Sequence, residues 1–148
     1  LPKGYLSEEE GLPAVSVKSV AAAYNNLRVG QLLRFRLKAN VTKKVDTKTG
    51  PDGQKRNGKR VPLQHGEDQV DWLIRIAERH GFDLQQVVIA AGGSSERAHS
   101  HVGNKTFQGV LFEGVLRVHD PALFREAVES GIGPAKAYGF GLLSVAPR

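Results

Sequence analysis

The sequence predicts an α+β fold in which two helices pack against four strands. Residues 31–43 alternate apolar and cationic side chains, the pattern of a half-buried strand. Two segments, 66–80 and 121–130, repeat apolar residues at helical spacing. The remaining strand-like apolar runs lie at 83–91, 106–119 and 138–145. The predicted order is therefore β-α-β-β-α-β.

The first strand, 31–43, is predicted to have one apolar face and one cationic face. The apolar positions are Leu33, Phe35, Leu37 and Ala39, and the cationic positions are Arg34, Arg36 and Lys38. A solvated sheet surface would also show this alternation. Three aligned cations favour a nucleic-acid backbone as the partner of this face.

A polar segment, 44–60, follows the first strand. It carries turn signals at 50–53 and 57–58, several cations and few apolar anchors. An ordinary surface loop and an RNA-binding arm both account for this composition. Lys59 and Arg60, at its end, are candidate RNA contacts.

Both predicted helices have terminal signals. The helix 66–80 has acidic residues in its first turn and basic residues in its last turn, as the helix dipole favours. Asp120 is the expected N-cap of the helix 121–130, with Pro121 at its first position. Trp72 repeats with the apolar side of its helix and is predicted to lie in the core or at its edge.

The strands 83–91 and 106–119 are separated by a long glycine- and serine-bearing excursion, 92–105. Gly114 predicts a bulge or bend in the second of them. The element order is typical of a ferredoxin-like fold, a four-stranded antiparallel sheet with both helices on one face. The alternative is a different α+β sandwich in which 92–105 forms an extra hairpin.

A glycine-rich stretch, 131–141, lies between the second helix and the last strand. It contains Gly131, Gly133, Gly139 and Gly141, with Lys136 among them. Glycines with positive φ allow backbone N–H groups to face an anion, so the stretch predicts a phosphate site. It is neither a dinucleotide fingerprint nor a Walker A motif, because Lys136 takes the third glycine position and follows an alanine. A long helix C-cap is the alternative.

Composition sets the broad limits. The 148 residues predict one domain, or one domain with a tail, and the net charge of +6 favours a polyanion, although an ordinary basic protein has the same balance. The chain has no cysteine, which excludes disulfides and thiolate metal sites and fits a cytoplasmic location. It has no methionine even at position 1, so we expect an internal fragment or a processed product.

Catalytic patterns are absent from the sequence. It has no convincing carboxylate pair and no H-E-x-x-H motif, and His99 and His101 lack a third metal ligand. We expect no metal, no cofactor and no catalytic residue in this chain.

Residues 131–145 resemble the C-terminal glycine-rich loop of the repeat-associated RNA-binding proteins of CRISPR systems. The closest resemblance is to the CasE family, the endoribonuclease subunit of the Cascade complex. Three further stretches agree with that family in order, at 30–40, 58–63 and 109–114, the last followed by Asp120 and Pro121.

The resemblance implies a function. CasE-type enzymes bind the repeat hairpin of precursor CRISPR RNA and cut it to guide RNA without metal, by attack of a ribose 2′-OH on the adjacent phosphate. A histidine and a tyrosine of an N-terminal domain perform this step. The resemblance therefore implies that 1–27 is a linker from such a domain, that 28–148 is the C-terminal RNA-binding domain, and that this chain alone is inactive. Repeat RNA and other Cascade subunits are the implied partners, with no membrane. The alternative is a non-catalytic RNA-binding or scaffold domain of a ribonucleoprotein complex.

The family also implies a basic hairpin that enters the major groove of the RNA stem. The excursion 92–105 takes its place here and is less basic than expected, with Arg97 and Lys105 as its cations. The full set of expected RNA contacts is Arg34, Arg36, Lys38, Lys59, Arg60, Arg97, Lys105, Gly131, Gly133, Lys136, Gly139 and Gly141.

Overall fold

The structure is a computed structural model that describes residues 24–45, 52–53, 58–100 and 103–148, without the side chains of 91–100 and 103–106. The predicted linker therefore lies almost wholly outside the described residues. So do most of the polar segment 44–60 and His101.

Four strands form the main sheet, as predicted, and all neighbouring pairs are antiparallel. The elements are β1 (Leu32–Asn40), β2 (Thr42–Val45), β3 (Lys59–Pro62), α1 (Gly66–Arg79), β4 (Phe82–Ser100), β5 (Gly103–Val118), α2 (Pro121–Ser130), a 3₁₀ turn (Lys136–Tyr138) and β6 (Leu143–Pro147). The main sheet has the order β4-β5-β1-β6, and β2 and β3 form a separate pair inserted between β1 and α1. This confirms the predicted ferredoxin-like arrangement.

The core lies between the main sheet and the two helices. The apolar positions of β1 are buried and join one cluster with residues of both helices, including Trp72, Leu73, Phe124 and Ala127. Trp72 stacks on Phe112 of β5 with ring centroids 6.5 Å apart, so its prediction as a core residue is confirmed. Both helices thus cover the same side of the sheet. The opposite side, which carries Arg34 and Arg36, is called the open face below.

The first strand ends earlier than predicted. Asn40, Val41 and Thr42 are buried one after another, which breaks the alternation of a strand with one buried face. The chain turns out of the main sheet there, and Thr42–Val45 pairs with Lys59–Pro62 instead. The segment 44–60 is therefore anchored at both ends by a backbone ladder, which its polar composition did not predict.

The excursion predicted at 92–105 is a continuation of two strands. β4 runs on to Ser100 and pairs with β5 from Ser94↔Gly109 to Ser100↔Gly103, after an irregularity between Ala90 and Ser94. This part has no apolar alternation because its order comes from pairing between its own two arms. β4 and β5 together are called the long hairpin below.

Three smaller predictions need correction. The last strand begins at Leu143 instead of residue 138, because Gly139 and Gly141 have positive φ and cannot continue a β ladder. The helical spacing of apolar residues also predicts Ile74 and Leu123 in the core, but they are 49% and 40% exposed, since each lies at the margin of its apolar helix face. The bulge predicted at Gly114 of β5 lies instead in the facing strand β4, where Gln85 is unpaired. Gly114 lets the Gln86 carbonyl approach closely.

Candidate nucleic-acid interface

The cations of β1 lie side by side with polar and small residues of the neighbouring strands. Arg34 is paired in register with Val115 and Ala146, and Arg36 with Glu113 and Ser144. A shallow groove of about 550 Å³ on the open face is lined by both arginines, Glu113 and Ser144, among others. The predicted cationic side of β1 therefore faces away from the core.

Both arginines have weak partners within the protein. Arg36 Nε lies 2.8 Å from Glu113 Oε1, and the two side chains are 65% and 42% exposed. Arg34 Nε donates to the Pro147 carbonyl at 3.3 Å. An exposed ion pair of this kind contributes roughly 0–1 kcal/mol. A phosphate can compete for either guanidinium at little cost, although Glu113 reduces the net positive charge of the face.

The glycine loop, defined as residues 131–141, is fixed to the end of β1. The Gly141 amide donates to the Lys38 carbonyl at 2.7 Å, and the Ile132 amide donates to the Gly141 carbonyl at 2.7 Å. These two bonds close the base of the loop beside the third cation of β1. The structure therefore brings together Lys38 and the loop, which are far apart in the sequence.

Several backbone amides of the glycine loop have no hydrogen-bond partner among the described residues. Its four glycines have φ between 76° and 87°, as the phosphate hypothesis requires. In the described part of the chain, the amides of Gly133, Ala135, Lys136 and Ala137 have no hydrogen-bond acceptor. Ala135 also has a positive φ of 67°, which the sequence did not indicate. These four N–H groups remain available to an external anion.

The underside of the loop rests on Trp72. A Cβ atom placed on Gly133 would lie 3.2 Å from Cη2 and Cζ2 of the indole. The chain has no other tryptophan. The loop conformation is thus coupled to a buried ring of α1, and the indole is a built-in fluorescent reporter of the loop.

Lys136 contributes to a positive local potential. Its side chain is exposed and its Cδ lies close to Gly131. The pKa of His80, at the end of α1, is lowered by burial and then by the charges of Arg79 and Lys136, while Glu126 raises it. Burial first, and then these two cations, hold His80 towards its neutral form.

Sequence reasoning missed an aromatic cluster beside the loop. The ring of Phe107 on β5 lies 4.7 Å from that of Tyr138 and 5.8 Å from that of Phe140, between centroids. Lys38 Nζ lies 5.7 Å from the centroid of Phe140. Tyr138 and Phe140 alternate with the glycines in the sequence, which was a usable signal, but nothing local indicates Phe107 as their neighbour.

The other predicted contacts lie elsewhere. Lys59 and Arg60 are on β3 of the small sheet, where Arg60 Nη1 donates to Thr42 Oγ1 at 3.3 Å. No hydrogen bond or ion pair among the described residues joins them to the glycine loop. The backbones of Arg97 and Lys105 pair with those of Thr106 and Ala98 near the end of the long hairpin, and that of His99 with Asn104. Their side chains lie outside the description.

The described residues contain no group of three or more His, Cys, Asp or Glu side chains that could hold a metal ion. None of their helices is long and apolar enough to cross a membrane.

Comparison with known proteins gives the family. Residues 3–147 match the family model described as CRISPR associated protein. The chain is 39% identical over 132 residues to the CRISPR-associated endoribonuclease Cse3 of Thermus thermophilus, covering 82% of this chain and 58% of that protein. It is 35% identical over 130 residues to the CRISPR system Cascade subunit CasE of Escherichia coli, covering 82% and 61%.

A solved structure agrees with these sequence matches. Thermus thermophilus Cse3 bound to an RNA representing a pre-cleavage complex superimposes with a TM-score of 0.65 at 38% identity, over 82% of this chain and 56% of that one. The chain thus spans little more than half the length of Cse3. The resemblance to the CasE family is confirmed, and the chain belongs to the CRISPR-associated protein family.

Proposed function

We propose that this chain is the RNA-binding part of an endoribonuclease that binds the repeat hairpin of precursor CRISPR RNA and cuts it to guide RNA. The observation that carries the RNA-binding step is the glycine loop, which offers unpaired amides and the exposed Lys136, and whose Gly141 amide is bonded to the Lys38 carbonyl. Phosphate oxygens are the acceptors that such a site prefers. The RNA-bound Cse3 structure supports RNA as the source of those phosphates.

The predicted contacts have different roles in this proposal. Arg34, Arg36 and Lys38 of the open face neutralise phosphates, and the glycine loop holds one phosphate through its main chain. Lys59 and Arg60 make a separate contact from the small sheet. Arg97 and Lys105 enter the groove of the stem from the long hairpin. The phosphate contacts identify no base, so they set position and affinity.

The cleavage step is assigned to residues outside this chain. Residues 28–148 form the RNA-binding domain, residues 1–27 lead from the catalytic domain, and cleavage needs no metal. The proposed partners are repeat RNA and other Cascade subunits. The proposed location is the cytoplasm, because a protein without cysteine forms no disulfides and needs no oxidising compartment. The name of the Escherichia coli relative supports assembly in Cascade.

The test is a Lys136→Ala variant titrated with repeat hairpins of several stem sequences at one salt concentration. We expect weaker binding to all of them in similar proportion, because phosphates carry no base identity. Stability should change by no more than about 0.5 kcal/mol, since the side chain is exposed. Lys136→Arg keeps the charge and serves as the matched control. Binding of Lys136→Ala equal to that of the parent would reduce the loop to a helix C-cap.

A cleavage assay tests the assignment of the chemistry to residues outside this chain. The chain incubated with the repeat hairpin and EDTA should bind it and leave it intact. Metal-independent cleavage that is lost when His99 or His101 is replaced would contradict the assignment of chemistry to another domain. A chain that binds no RNA and instead binds a protein subunit would favour the scaffold alternative.

A further inference from the structure

Among the described residues, the aromatic cluster at the glycine loop leaves one ring partly exposed. Phe140 is almost fully buried, with 3% exposure, so it belongs to the fold. Tyr138 is 36% exposed although it contacts Phe107. The tilt between these two rings is 35°, so Phe107 supports one side of the tyrosine ring.

Packing alone does not account for the position of Tyr138. It ends the 3₁₀ turn that begins at Lys136, and its amide donates to the Ala135 carbonyl at 2.9 Å. The flanking residues Ala137 and Gly139 are exposed, and neither has a side chain large enough to cover the Tyr138 ring. The 3₁₀ turn and the contact with Phe107 therefore position an aromatic ring at the same turn as the loop cation.

We propose that Tyr138, supported by Phe107, is a stacking platform for one unpaired nucleobase of the bound RNA. The inference rests on the proposed RNA binding and adds a contact of a different kind. Aromatic side chains stack on unpaired bases of any identity, because every base has a π face. Bases inside a stem are already stacked on their neighbours and cannot use the ring.

Lys38 adds a cation to the aromatic cluster. Its ammonium group is within cation–π distance of Phe140, which places a positive charge beside the aromatic cluster. Lys136 lies two residues before Tyr138 in the same turn. A nucleotide whose base lies on Tyr138 would thus have cations close to its backbone, so base stacking and phosphate binding act on the same short piece of RNA.

The test compares two RNA probes, an RNA hairpin with unpaired nucleotides at both ends and the same stem with flush ends. Tyr138→Ala should weaken binding of the tailed hairpin by about 5- to 140-fold, the range measured for loss of one stacked base. Binding of the flush hairpin should change less than about twofold. Tyr138→Phe should bind both probes like the parent, because stacking needs the ring and not the hydroxyl group.

Two controls keep the outcomes distinct. Thermal midpoints of all variants show whether the loop is still folded, and intrinsic fluorescence of Trp72 reports its conformation. The salt dependence of binding should be the same for Tyr138→Ala as for the parent, because no charge is removed, whereas Lys136→Ala should reduce it.

Each result decides the question. Selective loss of tailed-hairpin binding with an unchanged salt slope supports the platform. Equal loss for both probes, or no loss, overturns it and leaves Tyr138 as part of the loop packing. If the parent chain binds neither probe, the proposed RNA binding itself is wrong. Equal loss for both probes, or no loss, contradicts only the stacking platform and not the proposed RNA binding.

Discussion

At the scale of single residues, three glycines of the loop are required for different structural reasons. Gly141 lets the Ile132 carbonyl approach closely, and Gly133 makes room for the Trp72 ring. Gly139 has open space around it, so only its φ of 81° requires glycine. The sequence could predict that these residues have positive φ, and it could not predict which neighbour each one admits.

Gly139 provides the cleanest test of loop conformation. Gly139→Val should destabilise the chain by about 1–3 kcal/mol through backbone strain alone, because a side chain there meets no atom within 4 Å. RNA affinity should fall with it. The measurement is the free energy of unfolding in denaturant together with RNA affinity at fixed salt.

Gly139→Asn is the matched control, since asparagine enters the left-handed region more readily than other residues. It should lose less stability than the valine variant. Equal stability of the valine variant and the parent would show that residue 139 does not hold a positive φ in solution.

At the scale of elements, the helices were predictable and the strand ends were not. The bounds of α2 follow from residues inside or next to it, namely the Asp120 N-cap, Pro121 and Gly131. The second half of β4 has no such local signal, because its partner is the opposite arm of the long hairpin. For the same reason the sequence showed Tyr138 and Phe140 in the loop without showing Phe107 beside them.

The N-cap of α2 can be tested directly. The Asp120 carboxylate accepts hydrogen bonds from the amides of Ala122 and Leu123 at 3.0 and 3.1 Å. Asp120→Ala should cost about 0.5–2 kcal/mol of stability, because both amides lose their acceptor. Asp120→Asn keeps an acceptor oxygen and should stay close to the parent. Thermal or denaturant unfolding measures both, and equal losses in the two variants would mean that charge, and not capping, is what Asp120 contributes.

At the scale of the whole molecule, the position of the charges matters more than their sum. The net charge of +6 fits an RNA partner, yet Glu113 lies against Arg36 and Asp83 against Arg117 at 3.3 Å. The net charge therefore overstates the positive charge that the open face presents to a polyanion, because carboxylates lie against Arg36 and Arg117. The sequence predicted the alignment on β1 from alternation alone. It could not predict that Glu113 lies opposite Arg36, because Glu113 comes from another strand.

This distribution predicts how RNA binding responds to salt. If β1 and the glycine loop neutralise phosphates, the logarithm of affinity should fall linearly with the logarithm of salt concentration, by roughly 0.7–0.9 for each phosphate neutralised. Arg34→Gln removes one open-face cation and should reduce that slope by roughly one unit. Arg75→Gln removes an exposed cation from α1, on the covered side of the sheet, and should leave the slope unchanged. Affinity measured at four or more salt concentrations gives all three slopes. An affinity of the parent that does not change with salt concentration would point to a protein partner. Equal reductions of the salt slope in both variants would mean that RNA affinity depends on the total charge of the chain and not on the cations of the open face.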